Sequence, residues 1–185
     1  HFSGVSLTDE PARGAVLRAA RRAKEMGLLV SFDPNYRPFL WPQAAQARQA
    51  FEEGMRCADI IKVSEEEVAF LLGQENAAQG AAELAKQYDA LVLASCGARG
   101  ALAANPSGLL GRAEALPVTV ADTTGAGDAF LGTILAALAG KERAALHSMT
   151  EQEAVELLHL GCMAGSLTAS ELGAIPALPE KEELQ

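Results

Sequence analysis

The feature that most constrains the fold is an alternation of short apolar runs with longer segments of helical period. Thr8-Asp9-Glu10-Pro11 reads as a helix start, with a capping side chain followed by a proline. Val16, Ala19, Ala20, Ala23 and Met26 then recur at helical spacing, and Gly27 closes the segment. Leu28-Leu29-Val30-Ser31-Phe32 follows as a strand, stopped by Asp33-Pro34-Asn35. The rhythm continues with a helix over 43–56, a strand over 59–63, a helix over 64–72 closed by Gly73, and a helix over 78–87. Strands are expected at 90–95, 99–104 and 116–120, helices near 125–139 and 151–168, and loops at 73–78, 105–114 and 140–149. Helices alternating with buried strands predict an α/β fold, a three-layer α/β/α sandwich around a mostly parallel sheet. Aromatic residues make up only 5% of the chain while alanine is frequent, which favours close helix packing over an all-β sandwich.

The 185 residues suit one domain or a large piece of one. A hydrophobic content of 49% with 21% charged residues excludes a wholly disordered chain. The net charge is −9, from 15 basic and 24 acidic residues, and it argues against nucleic acid or an anionic membrane as a partner. Local anion binding through backbone amides remains open. Cys57, Cys96 and Cys162 have no CxxC spacing and are odd in number, so neither a disulfide framework nor a zinc site is expected, and a cytoplasmic location is the simplest reading. His1, His147 and His159 show no metal spacing, no apolar run reaches the ~18 residues of a membrane span, and residues 1–30 do not read as a signal peptide. The chain begins with His1 rather than Met, which suggests a processed product or a fragment.

In parallel α/β sheets, ligands sit beyond the carboxyl ends of the strands. Three unusual segments are expected there: Asp33–Arg37, Ser95–Gly100 and Asp122–Asp128. In the third, Gly125 and Gly127 precede a helical stripe of Phe130, Leu131, Ile134, Leu135 and Leu138. Small residues there let the backbone approach a ligand, and the outward amides of a helix N-terminus attract an anion such as phosphate. Neither GxxxxGK[ST] nor GxGxxG is present, because the glycine after Gly127 is Gly132. Asp128 would repel a simple bound phosphate. Its carboxylate makes sense if a substrate hydroxyl lies between the two, the carboxylate taking the hydroxyl proton while the amides stabilise a transferred phosphoryl group. Alternatively, Asp128 complements the helix dipole.

The string Asp122-Thr123-Thr124-Gly125-Ala126-Gly127-Asp128 resembles the carboxyl-terminal D-T-x-G-A-G-D signature of the PfkB, or ribokinase-like, carbohydrate kinases. The likeness extends through Asp33-Pro34-Asn35-Tyr36-Arg37 with Leu40-Trp41, through Lys62-Val63-Ser64-Glu65-Glu66-Glu67, and through Gly173-Ala174-Ile175-Pro176-Ala177-Leu178-Pro179. The opening Ser6–Pro11 is similar to the fructokinases within the family. The resemblance implies that Asp128 is the catalytic base, with Gly125, Ala126 and Gly127 forming the anion hole. It implies that Asp122 and Thr124 help hold a monovalent cation, K+, although both residues also suit a turn. Glu67 matches a glutamate linked to Mg2+ placement, and Ser64 stands where the family has Asn; Ser64-x-x-Glu67 is equally a capping box. Ser95, Gly97 and Gly100 match a nucleotide-contacting loop, or else form a tight connection between strands. Asn35 and Arg37 match positions near sugar and phosphates, while Tyr36 and Trp41 suit packing. Residues 161–166 are similar to a helix bordering adenine, with Ala164 in the matching segment and Cys162 in place of Asn.

Residues 1–185 are thus expected to be the C-terminal nucleotide-binding and catalytic part of such a kinase, with the N-terminal part and its lid missing. The function implied is ATP-dependent phosphoryl transfer to a sugar hydroxyl, with fructose as the sugar. The small-molecule partners are sugar and ATP, and a homodimer of the full-length protein is compatible with the resemblance. A 2-keto-3-deoxygluconate kinase is the nearest alternative, and a non-catalytic nucleotide-binding fragment is the alternative of another class. Lacking a lid to exclude water, the chain alone is expected to be a poor or inactive catalyst.

Overall fold

Short apolar runs become strands here, and the stripes between them become helices. The computed structural model describes residues 1–184. Strands β1 (Phe2–Ser3), β2 (Ser31–Asp33), β3 (Ile60–Ser64), β4 (Leu91–Ser95), β5 (Ala101–Asn105) and β6 (Gly108–Ala113) form one sheet in sequence order. Helices are α1 (Ala12–Glu25), α2 (Ala44–Arg56), α3 (Glu65–Leu72), α4 (Ala77–Tyr88), α5 (Ala126–Ala137), α6 (Arg143–His147) and α7 (Glu151–Ala169). β1, β2 and β3 are parallel, with Phe2 opposite Phe32 and Phe32 opposite Ile61. β4, β5 and β6 are joined by links too short for a crossover, so they reverse direction and the sheet is mixed.

Local chemistry sets the starts of three helices and the end of one. The Ser64 hydroxyl accepts from the Glu67 N–H while the Glu67 carboxylate accepts from the Ser64 N–H, and Thr150 and Glu153 repeat the arrangement at α7. The Asn76 side chain caps α4. Gly73 closes α3 in the left-handed region, at φ 69°.

Four expectations are corrected. Residues 116–120 form no strand: the Leu116 N–H donates to Ser166 Oγ at 3.1 Å and the Ala121 N–H to the Ala169 carbonyl at 2.9 Å, so side chains and backbone of α7, not a neighbouring strand, hold this segment. β6 lies inside the expected loop 105–114. The Asn105 carboxamide oxygen accepts the Ser107 N–H at 2.9 Å and turns the chain back, and Gly108 and Gly111 mask the strand's alternation. The expected loop 140–149 contains α6, pinned by Arg143 to Asp59 at 3.2 Å and to the Asp89 carboxylate at 3.0 Å. Finally, α1 starts at Ala12 and β2 at Ser31, both later than expected, because Gly4–Leu7 forms a 3-10 turn that Thr8 ends, and Leu28 stays exposed.

The chain divides into two compact units. The first comprises His1–Ala94, Ala104–Leu109 and Glu142–Ser148. Its core holds the fully buried Phe32, Phe51, Ile60, Ile61, Leu84 and Leu91. Tyr36 stacks on Phe70 with centroids 4.1 Å apart, and Trp41 meets Phe51 edge-on at 5.3 Å, so both aromatic side chains are packing residues. The second comprises Ser95–Ala103, Leu110–Lys141 and Met149–Gln185, and is built on α5 lying along α7. That approach depends on small residues. A Cβ on Gly161 would lie 2.7 Å from the Phe130 ring and 2.9 Å from Ile134, and one on Gly165 would lie 3.0 Å from the Ala126 carbonyl oxygen.

These contacts give opposite signs for two glycine substitutions. Gly161→Ala should cost about 1–3 kcal/mol through overpacking. Gly132→Ala, on an exposed α5 position with open space around it, should gain about 0.5–1 kcal/mol. Urea midpoints of the two variants against wild type check both.

Candidate functional site

The first unit carries the segment Asp33–Arg37, and the second carries Ser95–Gly100 and Asp122–Asp128. In the second unit, Gly125 is the N-cap of α5, at φ 82°, and a Cβ there would lie 3.0 Å from the Ala174 Cβ. Glycine is therefore required twice over, by conformation and by space. Having no side chain, it caps nothing. The Ala126 N–H reaches the Thr123 carbonyl at 3.2 Å, but the N–H groups of Gly127 and Asp128 have no protein acceptor among the described residues. Asp128 is exposed in this same first turn. Two donors and a solvent-facing carboxylate thus share one helix terminus, an arrangement that can hold an anion and take a proton from a neighbouring hydroxyl.

Asp122 braces the turn before it. Its Oδ1 accepts the Thr124 N–H at 2.9 Å and the Thr124 hydroxyl at 2.7 Å, while Oδ2 accepts the Gly173 N–H at 3.2 Å. The Thr124 hydroxyl first, then the N–H groups of Thr124 and Gly173, hold the Asp122 carboxyl below the usual carboxylate range. This is turn chemistry, and it joins Asp122 and Thr124 to the segment that carries Ala174.

The link from Ser95 to Gly100 is both tight and open. The Cys96 N–H donates to the Gly100 carbonyl at 2.8 Å, and a Cβ on Gly100 would meet Glu114 Cα at 2.7 Å. Gly97 is exposed at φ 55°, with nothing within 4 Å of the place a Cβ would take. Ala164 is fully buried, so its methyl group faces the interior of the unit. Cys162 is buried too; burial and then the nearby Cys96 push its thiol up to about 11, which makes it an inert core residue at neutral pH.

In the first unit, Ser64 and Glu67 complete the capping box of α3. Glu67 does more than cap. Its Oε1 accepts the Tyr36 N–H at 2.7 Å and its Oε2 the Ser64 N–H at 2.8 Å. Burial raises its pKa, and so does the Asp33 carboxylate; Lys62 and the two N–H donors oppose the rise. Asp33 forms an ion pair with Lys62 at 3.2 Å, and its other oxygen accepts the Asn35 N–H at 2.8 Å. Asn35 sits at φ 43°, in the left-handed region, and Arg37 is exposed. Asp33 and Lys62 stand in the family-like strings read from the sequence, but no role was assigned to either. A lysine inside the apolar run Ile60-Ile61-Lys62-Val63 was the available signal, since a buried charge needs a partner.

The family model described as pfkB family carbohydrate kinase matches residues 1–181. The chain belongs to this family. A probable fructokinase-6, chloroplastic, of Arabidopsis thaliana is 40% identical over 98% of this chain and 47% of its own length. The crystal structure of aminoimidazole riboside kinase from Salmonella enterica, complexed with aminoimidazole riboside and an ATP analog, superposes with a TM-score of 0.85 at 33% identity, over 99% of this chain and 60% of that one. Fructokinase from Vibrio cholerae O395, in its fructose, ADP and calcium ion bound form, gives a TM-score of 0.83 at 30% identity, over 100% of this chain and 58% of that one. The pfkB chain described here thus spans about half the length of its relatives. Its six-stranded mixed sheet with flanking helices is the ribokinase-like α/β fold of these neighbours. No helix among the described residues is long and apolar enough to cross a membrane.

The Asp122 bonds carry a pH signature. A depressed folded-state pKa gives stability that is complete above the unfolded value of ~3.9 and is lost as pH falls through the folded value. The stability difference between wild type and Asp122→Asn should therefore be constant above about pH 5 and shrink towards pH 2. Denaturant midpoints of both proteins across that range check it.

Proposed function

We propose that the whole protein catalyses ATP-dependent phosphoryl transfer to a sugar hydroxyl, with fructose as the acceptor. The observation that carries the reading is the first turn of α5, where the unaccepted N–H groups of Gly127 and Asp128 stand beside the exposed Asp128 carboxylate. Membership in the pfkB family and the likeness to fructokinases support it.

In this mechanism Asp128 takes the proton of the attacking hydroxyl. The sugar oxygen bonds to the γ-phosphorus as the bond to the β–γ bridging oxygen breaks. The turn Gly125-Ala126-Gly127 receives the charge on the transferred phosphoryl oxygens, with the N–H groups of Gly127 and Asp128 as its open donors while that of Ala126 meets the Thr123 carbonyl, and losing one such donor typically costs roughly 100- to 1000-fold in rate. Ser95, Gly97 and Gly100 contact the nucleotide, with open space over Gly97 for it. Ala164 backs the nucleotide end of α7 from within. Asn35 and Arg37 recognise sugar and phosphate oxygens, Arg37 through its planar fork.

Mg2+ supplies neutralisation of phosphate charge when bound. Glu67 suits an indirect role towards it, since both carboxylate oxygens already accept backbone N–H groups, and Ser64 fixes the helix end that presents Glu67. Asp122 and Thr124 present oxygen ligands of the kind K+ takes, on a turn already braced by their mutual bonds. Three thiols without a disulfide suit a reducing compartment such as the cytoplasm, and the Arabidopsis relative is chloroplastic.

The likeness to aminoimidazole riboside kinase favours a second acceptor, the hydroxymethyl group of a riboside. A coupled ADP-release assay with fructose, ribose, 2-keto-3-deoxygluconate and aminoimidazole riboside separates the acceptors. The same assay on the 185-residue chain tests the expectation that it turns over poorly alone. Asp128→Asn in the whole protein should lower kcat by about 100- to 10,000-fold while calorimetry finds MgATP affinity within about threefold of wild type. Unchanged turnover in that variant removes Asp128 as the base.

A further inference from the structure

We propose that Lys62 is a positioning residue: by compensating the buried carboxylates of Asp33 and Glu67 it holds the turn that carries Asn35, Tyr36 and Arg37. Three ionisable side chains meet here, and all are buried: Asp33 at 3% exposure, Glu67 at 7% and Lys62 at 8%. The pairing of Phe32 with Ile61 in adjacent parallel strands puts Asp33 and Lys62 abreast at the next position, on one face of the sheet. Their side chains close to 3.2 Å.

The two carboxylates divide the turn between them. Asp33 Oδ1 accepts the Asn35 N–H and Glu67 Oε1 the N–H of Tyr36, the next residue. Asn35 itself adopts a left-handed conformation that few side chains take. Two anchored amides, those of Asn35 and Tyr36, hold it there. The anchors, however, are like charges in a region of low dielectric, and Asp33 acts unfavourably on Glu67. Lys62 is the cation that acts on both. Without it, two buried carboxylates face each other uncompensated. They relieve the repulsion by moving apart, and each drags one amide of the turn with it.

A lysine that merely stabilised the fold would lower protection everywhere. One that positions the turn acts locally and through Asp33. Amide hydrogen exchange of the 185-residue chain, read by NMR for wild type, Lys62→Met, Asp33→Asn and the double variant, distinguishes the two. Lys62→Met should speed exchange at Asn35 and Tyr36 by ~10-fold or more relative to Leu93 in β4. Asp33→Asn keeps an acceptor for the Asn35 N–H and should have little effect. The double variant should return both amides to within about threefold of wild type, because the second substitution removes the repulsion exposed by the first. If Lys62→Met does not fold, Lys62→Gln, which keeps a hydrogen-bond donor at the site, carries the same comparison alone and with Asp33→Asn.

Additive losses, or a uniform rise in exchange through the first unit, overturn it. That the turn serves the acceptor rests on the function proposed above, so the same variants in the whole protein give a separate reading. Lys62→Met should raise acceptor KM by ~10-fold with nucleotide KM within about twofold. Local exchange effects without that split leave the positioning role standing and remove the turn from the acceptor site.

Discussion

The second unit depends on how closely α5 can approach α7. Gly161 and Gly165 lie on α7 where any Cβ would press on the Phe130 ring or the Ala126 carbonyl, and Gly125 lies where a Cβ would press on Ala174. Together they fix both the path of α5 and the place of its first turn. The same requirement for small residues leaves that turn without a capping side chain. α3, α4 and α7 are closed by Ser64, Asn76 and Thr150, whose oxygens satisfy first-turn amides. At α5 the amides of Gly127 and Asp128 remain available. An uncapped terminus is a cost to a helix that has no ligand, and it becomes an asset only where an anion supplies the missing acceptors.

The first unit solves a different problem. Its turn at 33–37 holds Asn35 in the left-handed region that most side chains avoid, and it does so with buried carboxylates rather than with glycine. Carboxylates are stronger acceptors than amide oxygens, but they bring charge into a dry region. The cost shows in the raised pKa of Glu67, and Lys62 offsets part of it. The capping box of Ser64 and Glu67 is therefore not an alternative to a role in the turn. One carboxylate oxygen serves each purpose, so the helix end and the turn are set by the same side chain.

Much of this was legible in the sequence where a local rule decides the outcome. Ser64-x-x-Glu67 and Gly73 are signals of helix ends, and each acts where expected. The Gly125–Asp128 turn could be read because strand-forming residues, glycines and a helical stripe follow in order. The failures lie where tertiary contacts override local preference. Val118-Thr119-Val120 has the composition of a strand, yet Val120 is 60% exposed and the flanking amides bond to α7. β6 was masked by two glycines, and α6 by its shortness; Arg143 ties α6 to Asp59 and Asp89, partners remote in sequence. Lys62 was read only as part of a family-like string, without a role, since its partner is fixed by strand register, which a single sequence does not display.

The two clusters differ in how much change they can absorb. At α5 the open donors belong to the backbone, so their identity survives substitution and only their position is at risk. Gly125 is held by conformation and by Ala174 at once, which makes position and sequence nearly inseparable there. At 33–37 the supporting atoms belong to side chains, and a balance of charges decides whether they stay in place. An anion site made of amides tolerates variation in what surrounds it, whereas a turn held by two carboxylates and one ammonium does not. The more stringent constraint therefore falls on the buried Asp33–Lys62–Glu67 group, although Asp128 is the side chain that faces solvent.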